Sequence, residues 1–218
     1  MPQRTPQQVT PDEILAFCFP TDLTQGVAEI HMKFWQGRMQ GGMDAAILDR
    51  YADATHAAAR GAFDTWAETP RGRLALILLL DQFPRSVWRG TPAAYGQDIK
   101  SCRLVLDSFA NGRFDTLTTP WEQNFPLIAV THCEGPDHLA RMDLVIEITD
   151  RLVDALPQPM NGIYQPGKEQ PRRVREVIRR FGRHPHRNTV PGRVSTAVED
   201  AYIAAGEFPH ERPIEAPG

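Results

Sequence analysis

"TPRGRLALILLLDQFPR", residues 69–85, carries the signals that decide the fold. Thr69 can accept a backbone N–H as a helix cap, and Pro70 suits the first helical position, where its missing donor would be unpaired anyway. The run "LALILLL" (74–80) is apolar on every side and is rich in leucine rather than in β-branched residues. We therefore predict a buried central helix here rather than a buried strand.

Similar helix starts recur along the chain. Thr-Pro dipeptides occur at 5–6, 10–11, 69–70, 91–92 and 119–120. Three capping boxes are predicted, in which Thr10 pairs with Glu13, Thr119 with Glu122 and Thr196 with Glu199. Gly182 is well suited to end a helix because glycine adopts the left-handed conformation that a helix end requires.

Apolar residues between these starts follow a helical period. One set comprises Ala45, Leu48, Ala52, Thr55, Ala59, Phe63 and Trp66, and a second comprises Leu139, Met142, Ile146, Thr149, Leu152 and Leu156. Both predict one-sided amphipathic helices, and no alternating strand pattern accompanies them. We predict an all-α fold of about eight or nine helices. Residues 157–170, "PQPMNGIYQPGKEQ", are predicted to be irregular, as a surface loop or a hinge.

Composition restricts the class of protein. The chain has 218 residues, a formal charge of −3 and 41% apolar residues, so it is long enough for one full core and has no basic field for nucleic acid. No apolar run is long enough to span a membrane, and the N-terminus has no secretory apolar segment. Three cysteines far apart predict reduced thiols in a cytoplasmic protein. We expect a frayed segment 1–10, a single helical domain 11–208 and a C-terminal tail 209–218; the sequence sets no oligomeric state.

The end of the apolar helix carries the first candidate site. Pro84 disfavours helix at Phe83, so Asp81 lies in the last turn directly after a buried run. A buried carboxylate needs partners, and Gln82 and Arg85 are near in sequence. One interpretation is a structural ion pair between Asp81 and an arginine; the other is a ligand-binding group.

The second candidate site is "FGRHPHRN" (181–188). Pro185 pushes His184 towards an extended conformation, so we expect an extended segment in which His184 and His186 share one face, and Arg183 and Arg187 the other. Asn188 is expected to begin the next turn.

Three interpretations of this segment compete. In the structural one, the arginines pair with internal carboxylates and the histidines bond to backbone carbonyls. In the second, Arg183, Arg187 and Arg85 hold a carboxylate or phosphate through bidentate bonds. In the third, His184 and His186 bind a metal with His132 or Glu134; the His-Pro-His spacing disfavours this, and we predict no metal and no other cofactor.

His132 and Glu134 lie near a helix end at Gly135 and form the third candidate. A general acid–base pair is conceivable because histidine titrates near neutrality and a carboxylate can orient it; His186 is a further candidate acid or base. The simpler interpretation is a polar helix end that faces residues 181–188, which we call the Arg/His segment. Cys133 is discounted as a nucleophile because sequence neighbours rarely point at each other.

Two blocks of the sequence resemble a known family. They are "WAETPRGRLALILLLDQFPRSVWRGTPAAYGQD" (66–98) and "RRFGRHPHRNTVPGRVSTAVEDAYI" (179–203), and between them "EQNFPLIAVTHCEGPD" looks like a diverged form of that family's Glu-rich helix. The family is the bacterial domain of unknown function 924, and the resemblance covers about residues 11–208. It implies a tetratricopeptide-like array of helices packed as antiparallel pairs, and it implies no established activity.

Three functions are consistent with these residues. The leading hypothesis is a binding module whose polar cleft receives a carboxylate- or phosphate-bearing small molecule or peptide. Its predicted ligand-binding residues are Asp81, Gln82, Arg85, Arg183, His184, His186, Arg187 and Asn188. The alternative is a small-molecule hydrolase or lyase, with His132 or His186 as acid or base and Glu134 or Asp81 as the orienting carboxylate. The third is a purely structural role. All three require the polar helix ends to meet in one place.

Overall fold

The computed structural model describes residues 9–206 and Phe208, and within them every regular element is helical. The α-helices are α1 (Pro11–Cys18), α2 (Ala28–Met39), α3 (Asp44–Ala59), α4 (Pro70–Asp81), α5 (Pro84–Val87), α6 (Asp98–Ala110), α7 (Pro120–His132), α8 (His138–Asp154), α9 (Met160–Tyr164), α10 (Glu169–Phe181) and α11 (Ala197–Ala205). Short 3-10 turns occupy Thr21–Gln25, Asp64–Glu68, Pro92–Tyr95, Phe114–Thr116, Gln165–Lys168 and Pro185–Arg187. Nine of the described α-helices have eight or more residues, which confirms the all-α prediction.

Helix α4 is the centre of the core, as the apolar run predicts. Each side chain from Leu74 to Leu80 is at most 2% exposed, and α4 contacts α1, α3, α6 and α7. Each fully buried Leu or Ile side chain contributes roughly 1.5–3 kcal/mol. The Thr69 hydroxyl accepts the Gly72 N–H at 3.1 Å, which starts the helix. A Cβ at position 72 would lie 2.4 Å from the Trp66 carbonyl oxygen, so only glycine fits there.

Two of the three predicted capping boxes are present. Both reciprocal hydrogen bonds are formed between Thr10 and Glu13 at α1, and between Thr196 and Glu199 at α11. The box predicted at Thr119 is wrong. The Thr119 hydroxyl donates instead to Glu122 at 2.8 Å, and Arg71 donates to the same carboxylate at 2.7 Å, because the long-range ion pair turns Glu122 away from the helix start.

The predicted buried face of α3 is only partly right. Thr55 and Phe63 are buried as expected, but Leu48 is 49% exposed. The helix also buries Ile47, Tyr51, Ala54, Ala57 and Ala58. This alanine-rich helix offers small apolar residues on several sides, and Tyr51 selects the face because its ring packs against Phe83 with centroids 5.6 Å apart.

The segment 157–170 is ordered, contrary to the predicted loop. It forms α9, a 3-10 turn and the start of α10. Tyr164 anchors it from α9, where its hydroxyl lies 3.2 Å from Nδ1 of the buried His31. Prolines at the starts of these short helices are compatible with helix, which is why their density misled the prediction.

The chain ends lie mostly outside the described residues. Of the predicted frayed segment, Val9 packs in the core and Thr10 caps α1, while 1–8 are outside the description, as are 207 and the tail 209–218. None of the helices in the described part of the chain combines the length and the apolar character that spanning a bilayer requires. The tetratricopeptide-like pairing and the single-domain boundaries stay predictions.

Candidate functional site: a buried ion cluster at the helix ends

The last residue of α4 is the centre of a polar cluster inside the protein. Asp81 is fully buried and accepts hydrogen bonds from the Gln82 side-chain amide and from Nδ1 of His132, the latter at 2.9 Å. Nη1 of Arg85 lies 3.2 Å from the same carboxylate oxygen that His132 contacts. Burial alone would raise the pKa of Asp81, but Arg85 and His132 outweigh it and hold that pKa well below its usual range. Asp81 is therefore ionised at neutral pH.

A second carboxylate, Asp98, joins two arginines to this site. Nη2 of Arg85 lies 3.0 Å from both Asp98 oxygens, and Nη1 of Arg187 lies 3.2 Å from one of them. Both guanidinium groups stack on Tyr95, with Cζ-to-centroid distances of 5.7 Å for Arg85 and 4.5 Å for Arg187. Burial raises the pKa of Asp98, while the two arginines act in the opposite direction. We call Asp81, Arg85, Asp98, His132 and Arg187 the ion cluster.

His132, the last residue of α7, is held from two sides. Its imidazole donates a hydrogen bond to Asp81, and its carbonyl oxygen accepts a hydrogen bond from Nη1 of Arg187 at 2.9 Å. Its side chain is 13% exposed, whereas that of Asp81 is fully buried. Burial, with Arg85 next in importance, lowers the pKa of His132. The imidazole is therefore neutral at pH 7 and is oriented by a charged carboxylate.

The Arg/His segment closes over this cluster in a different conformation from the one predicted. Gly182 ends α10 in the left-handed conformation at φ 70°, as predicted, and His184 is extended. Residues Pro185–Arg187 then form a 3-10 turn, so the expected extended segment with two separate faces is wrong. The turn forms because proline restricts the residue before it but is itself well suited to start a helical turn.

The two arginines of this segment take different carboxylates. Arg187 turns inwards to the ion cluster, while Arg183 forms a bidentate pair with Glu199 of α11 at 2.6 and 2.8 Å. Glu199 thereby serves both its capping box and this ion pair, and its pKa falls to about 2 because of the Arg183 hydrogen bond. Arg183 is thus removed from the ion cluster.

The histidines of the segment are mostly satisfied by the backbone. Nε2 of His184 donates to the Thr131 carbonyl oxygen at 3.1 Å, and its backbone N–H donates to Glu134 at 2.7 Å. The His186 ring lies 5.4 Å from the His184 ring, and its Nδ1 is buried and has no hydrogen-bond partner in the part of the chain that the structure describes. Burial and Arg187 lower the pKa of His186 to about 3. Both rings are neutral at pH 7.

The remaining predicted residues hold the segment in place. Glu134 accepts from Arg193 as well as from the His184 backbone, so Glu134 pairs with the segment rather than with the His132 side chain. Asn188 is fully buried, and its amide donates to Ser195 at 3.0 Å. Among the described residues, no group of three or more histidine, cysteine, aspartate or glutamate side chains is arranged to hold a metal ion.

Sequence reasoning missed Asp98, Tyr95 and Arg193. Asp98 is the first residue of α6, where an acidic residue is already explained by the helix dipole, so nothing marked it as an ion-pair partner. The available signal was an imbalance, because one carboxylate, Asp81, could not neutralise both Arg85 and Arg187. Tyr95 lies in a 3-10 turn only three residues before Asp98, and it gave no separate signal.

These features define an all-α protein in which a central apolar helix delivers an aspartate to a buried cluster of ion pairs. Residues 14–207 match the family model described as "Bacterial protein of unknown function (DUF924)", and the chain belongs to this family. It is similar to the solved structure of the protein of unknown function ATU0120 from Agrobacterium tumefaciens, with 26% identity and a TM-score of 0.64 over 90% of this chain and 97% of that one. No curated protein matches the chain.

Proposed function

We propose that this protein is a small-molecule hydrolase or lyase in which His132 transfers a proton and Asp81 orients it. The observation that carries this proposal is the 2.9 Å hydrogen bond between Nδ1 of His132 and Asp81. Asp81 is wholly buried and ionised, and the imidazole at its edge is partly exposed. A histidine held by a carboxylate in this way is a recurrent general acid–base arrangement.

The electrostatics support a general base. Ionised Asp81 can only accept a hydrogen bond, so Nδ1 of His132 must donate it. The single ring proton of neutral His132 is therefore on Nδ1, and the lone pair is on Nε2. The lowered pKa of His132 keeps Nε2 unprotonated at neutral pH. Arg187 donates to the His132 carbonyl oxygen at 2.9 Å and so holds the backbone, while Asp81 orients the ring. In this scheme Asp98 and the two arginines are positioning residues.

A second candidate, binding of an anionic small molecule or peptide without chemistry, has one observation in its favour. Nε of Arg187 and Nδ1 of His186 are buried polar atoms without a hydrogen-bond partner among the described residues, and a ligand could satisfy them. We rank this candidate second because Arg85 contacts both Asp98 oxygens and Arg183 is bidentate with Glu199. Three buried free thiols support a cytoplasmic location for either function.

The proposal is tested by following consumption of a mixed pool of carboxylic esters, amides, phosphate esters and hydroxy acids by mass spectrometry. The variant is His132→Asn. The asparagine amide can donate a hydrogen bond to Asp81, as Nδ1 of His132 does, but it cannot accept and release a proton near neutral pH. We expect a compound that the wild type consumes and the variant consumes about a hundredfold or more slowly, since general acid–base catalysis contributes roughly 10²–10⁴-fold. Products whose summed mass exceeds that of the substrate by one water molecule identify a hydrolase. Products formed by elimination, without added water, identify a lyase.

His56→Asn is the matched control, because His56 lies outside the ion cluster. Its ring packs on Trp88, with ring centroids 4.9 Å apart. Equal melting temperatures of the variants show that the fold is retained. The proposal fails if no compound is consumed, or if His132→Asn consumes it as fast as the wild type. A compound that binds unchanged, and more weakly to Arg187→Gln, would support the second candidate instead.

A further inference from the structure

A groove between α10 and α11 lies outside the ion cluster. Its volume is about 460 Å³, within the range of roughly 300–1,000 Å³ that is typical of small-molecule sites. One wall is the α10 row of Arg173, Val177 and Arg180, and the other is formed by Tyr202 and Phe208, with Phe181 at the end of α10. The Arg/His segment borders it, because the His186 ring lies 5.5 Å from Phe208.

Three aromatic rings give the groove a continuous apolar surface. The Phe181 and Tyr202 centroids are 5.0 Å apart, and Tyr202 meets Phe208 edge to face at 5.4 Å. Tyr202 is 9% exposed, whereas Phe181 and Phe208 are half-buried, so their rings offer contact area to a molecule in the groove. Aromatic surfaces of this kind favour a flat apolar or aromatic body.

The α10 wall adds a positive charge that the described residues do not neutralise. Neighbouring arginines on this helix are paired: Arg172 with Asp150, Arg175 with Asp143 and Arg179 with Glu176. The Arg179 pair is bidentate, at 2.8 and 2.6 Å, so it takes up the charge of Glu176, which is the acidic residue among the described residues that line the groove. Within the described part of the chain, Arg173 and Arg180 have no ion-pair partner. Arg180 is held over Phe181, with Cζ 4.8 Å from the ring centroid.

We propose that this groove binds a small molecule that combines an aromatic or aliphatic body with one anionic group. The body lies against Phe181, Tyr202 and Phe208, and the carboxylate or phosphate lies between Arg173 and Arg180. Charge complementarity supports this occupant over a neutral one, because the groove carries two unneutralised guanidinium groups. Its size supports a small molecule over a protein partner. The inference does not depend on the activity proposed for His132.

The test uses two fluorescent probes of nearly the same shape: anilinonaphthalene sulfonate, which is anionic, and phenylnaphthylamine, which is neutral. We expect the wild type to bind the anionic probe one to one and more tightly than the neutral probe. Arg173→Gln with Arg180→Gln should weaken binding of the anionic probe about tenfold or more, because both charged hydrogen-bond donors are removed. The same double variant should leave the neutral probe unchanged.

Two further variants locate the site. Phe208→Ala should weaken both probes because it removes part of the shared apolar wall. Arg175→Gln, which removes an arginine paired outside the groove, should change neither. Displacement of the anionic probe by phenylacetate or by phenyl phosphate then distinguishes a carboxylate ligand from a phosphate ligand.

Three outcomes would overturn the proposal. One is equal affinity for the two probes, and another is an anionic-probe affinity that the double arginine variant does not change. The third is a dimer in solution that Phe208→Ala dissociates, which would make the groove a contact between two copies of the chain. Near-ultraviolet circular dichroism of each variant excludes probe binding to a loosened fold.

Discussion

Lowering the pH from 7 to 5 should destabilise the fold through a buried histidine, His138, at the start of α8. His138 is 1% exposed, and its Nε2 donates to the Thr131 carbonyl oxygen at 3.0 Å. Burial, with Arg141 next, lowers its pKa to about 4. His184 donates to the same carbonyl at 3.1 Å, so a proton on either ring brings charge into a crowded interior.

The direction follows from comparing the folded and unfolded pKa values of His138. The unfolded value is about 6.5, so between about 4 and 6.5 the unfolded chain binds a proton that the folded chain does not. Stability is therefore complete above the unfolded pKa and falls as the pH drops below it, by about 1.4 kcal/mol per pH unit. From pH 7 to pH 5, His138 alone should lower the free energy of unfolding by about 2 kcal/mol.

Carboxylates with lowered pKa values titrate below this window, whereas burial raises the pKa of Asp98, which acts in the opposite direction to the histidines. Glu199, with a folded pKa of about 2, stabilises the fold above its unfolded pKa and loses that effect only as the pH falls further. The comparison of the wild type with a His138 variant therefore isolates His138, because Asp98 and His132 titrate in both proteins. His184 and His186, whose pKa values are also lowered, act in the same direction as His138.

The assay is urea unfolding at pH 7 and pH 5, for the wild type and for His138→Gln. Glutamine retains an amide donor near the position of Nε2 but does not titrate, so it removes the proton and keeps the hydrogen bond to Thr131. The loss of stability on acidification should be about 2 kcal/mol smaller in the variant. An identical loss in the two proteins would refute the burial argument for this residue.

Two further predictions concern the ion cluster and the end of α10 at Gly182. Asp98→Asn should lower the free energy of unfolding by about 3–5 kcal/mol, because Arg85 and Arg187 then lose their shared carboxylate inside the protein. Asp150→Asn, which removes a more exposed pair with Arg172, should cost less than about 1 kcal/mol, and similar losses for the two would contradict the difference in burial. Gly182→Ala should cost about 1 kcal/mol in urea unfolding through its φ of 70° alone, since a Cβ there meets no atom within 4 Å. A loss above about 3 kcal/mol would point to a steric contact instead.

The centre of the fold could be predicted because its signals are local and agree with one another. Thr69 caps α4, Pro70 starts it and the leucine run requires burial on all sides, so the end of α4 had to deliver Asp81 into a polar setting. The same reasoning places His132 and Arg187 at element ends. Their meeting, with His132 bonded to both Asp81 and Arg187, is what the structure adds.

Predictions failed where the choice depended on distant residues. The face of α3 is set by the contact of Tyr51 with Phe83, and the Thr119 box is lost to an ion pair between Arg71 and Glu122 that spans 51 residues. A local pattern carries no information about such partners. Asp98 was missed for the same reason, since its two arginines come from α5 and from the Arg/His segment.

The distribution of charge separates the two candidate sites. In the ion cluster, Arg85 and Arg187 face Asp81 and Asp98, so an incoming anion would have to displace a carboxylate that already makes the same contacts. Displacing a buried partner leaves that partner uncompensated and costs several kcal/mol, so internal pairing favours fixed geometry over ligand capture. This fixed geometry holds the neutral His132 between Asp81 and Arg187. Along α10 the situation is the opposite: Arg173 and Arg180 are exposed beside apolar rings, and within the described part of the chain an anion there would displace no carboxylate.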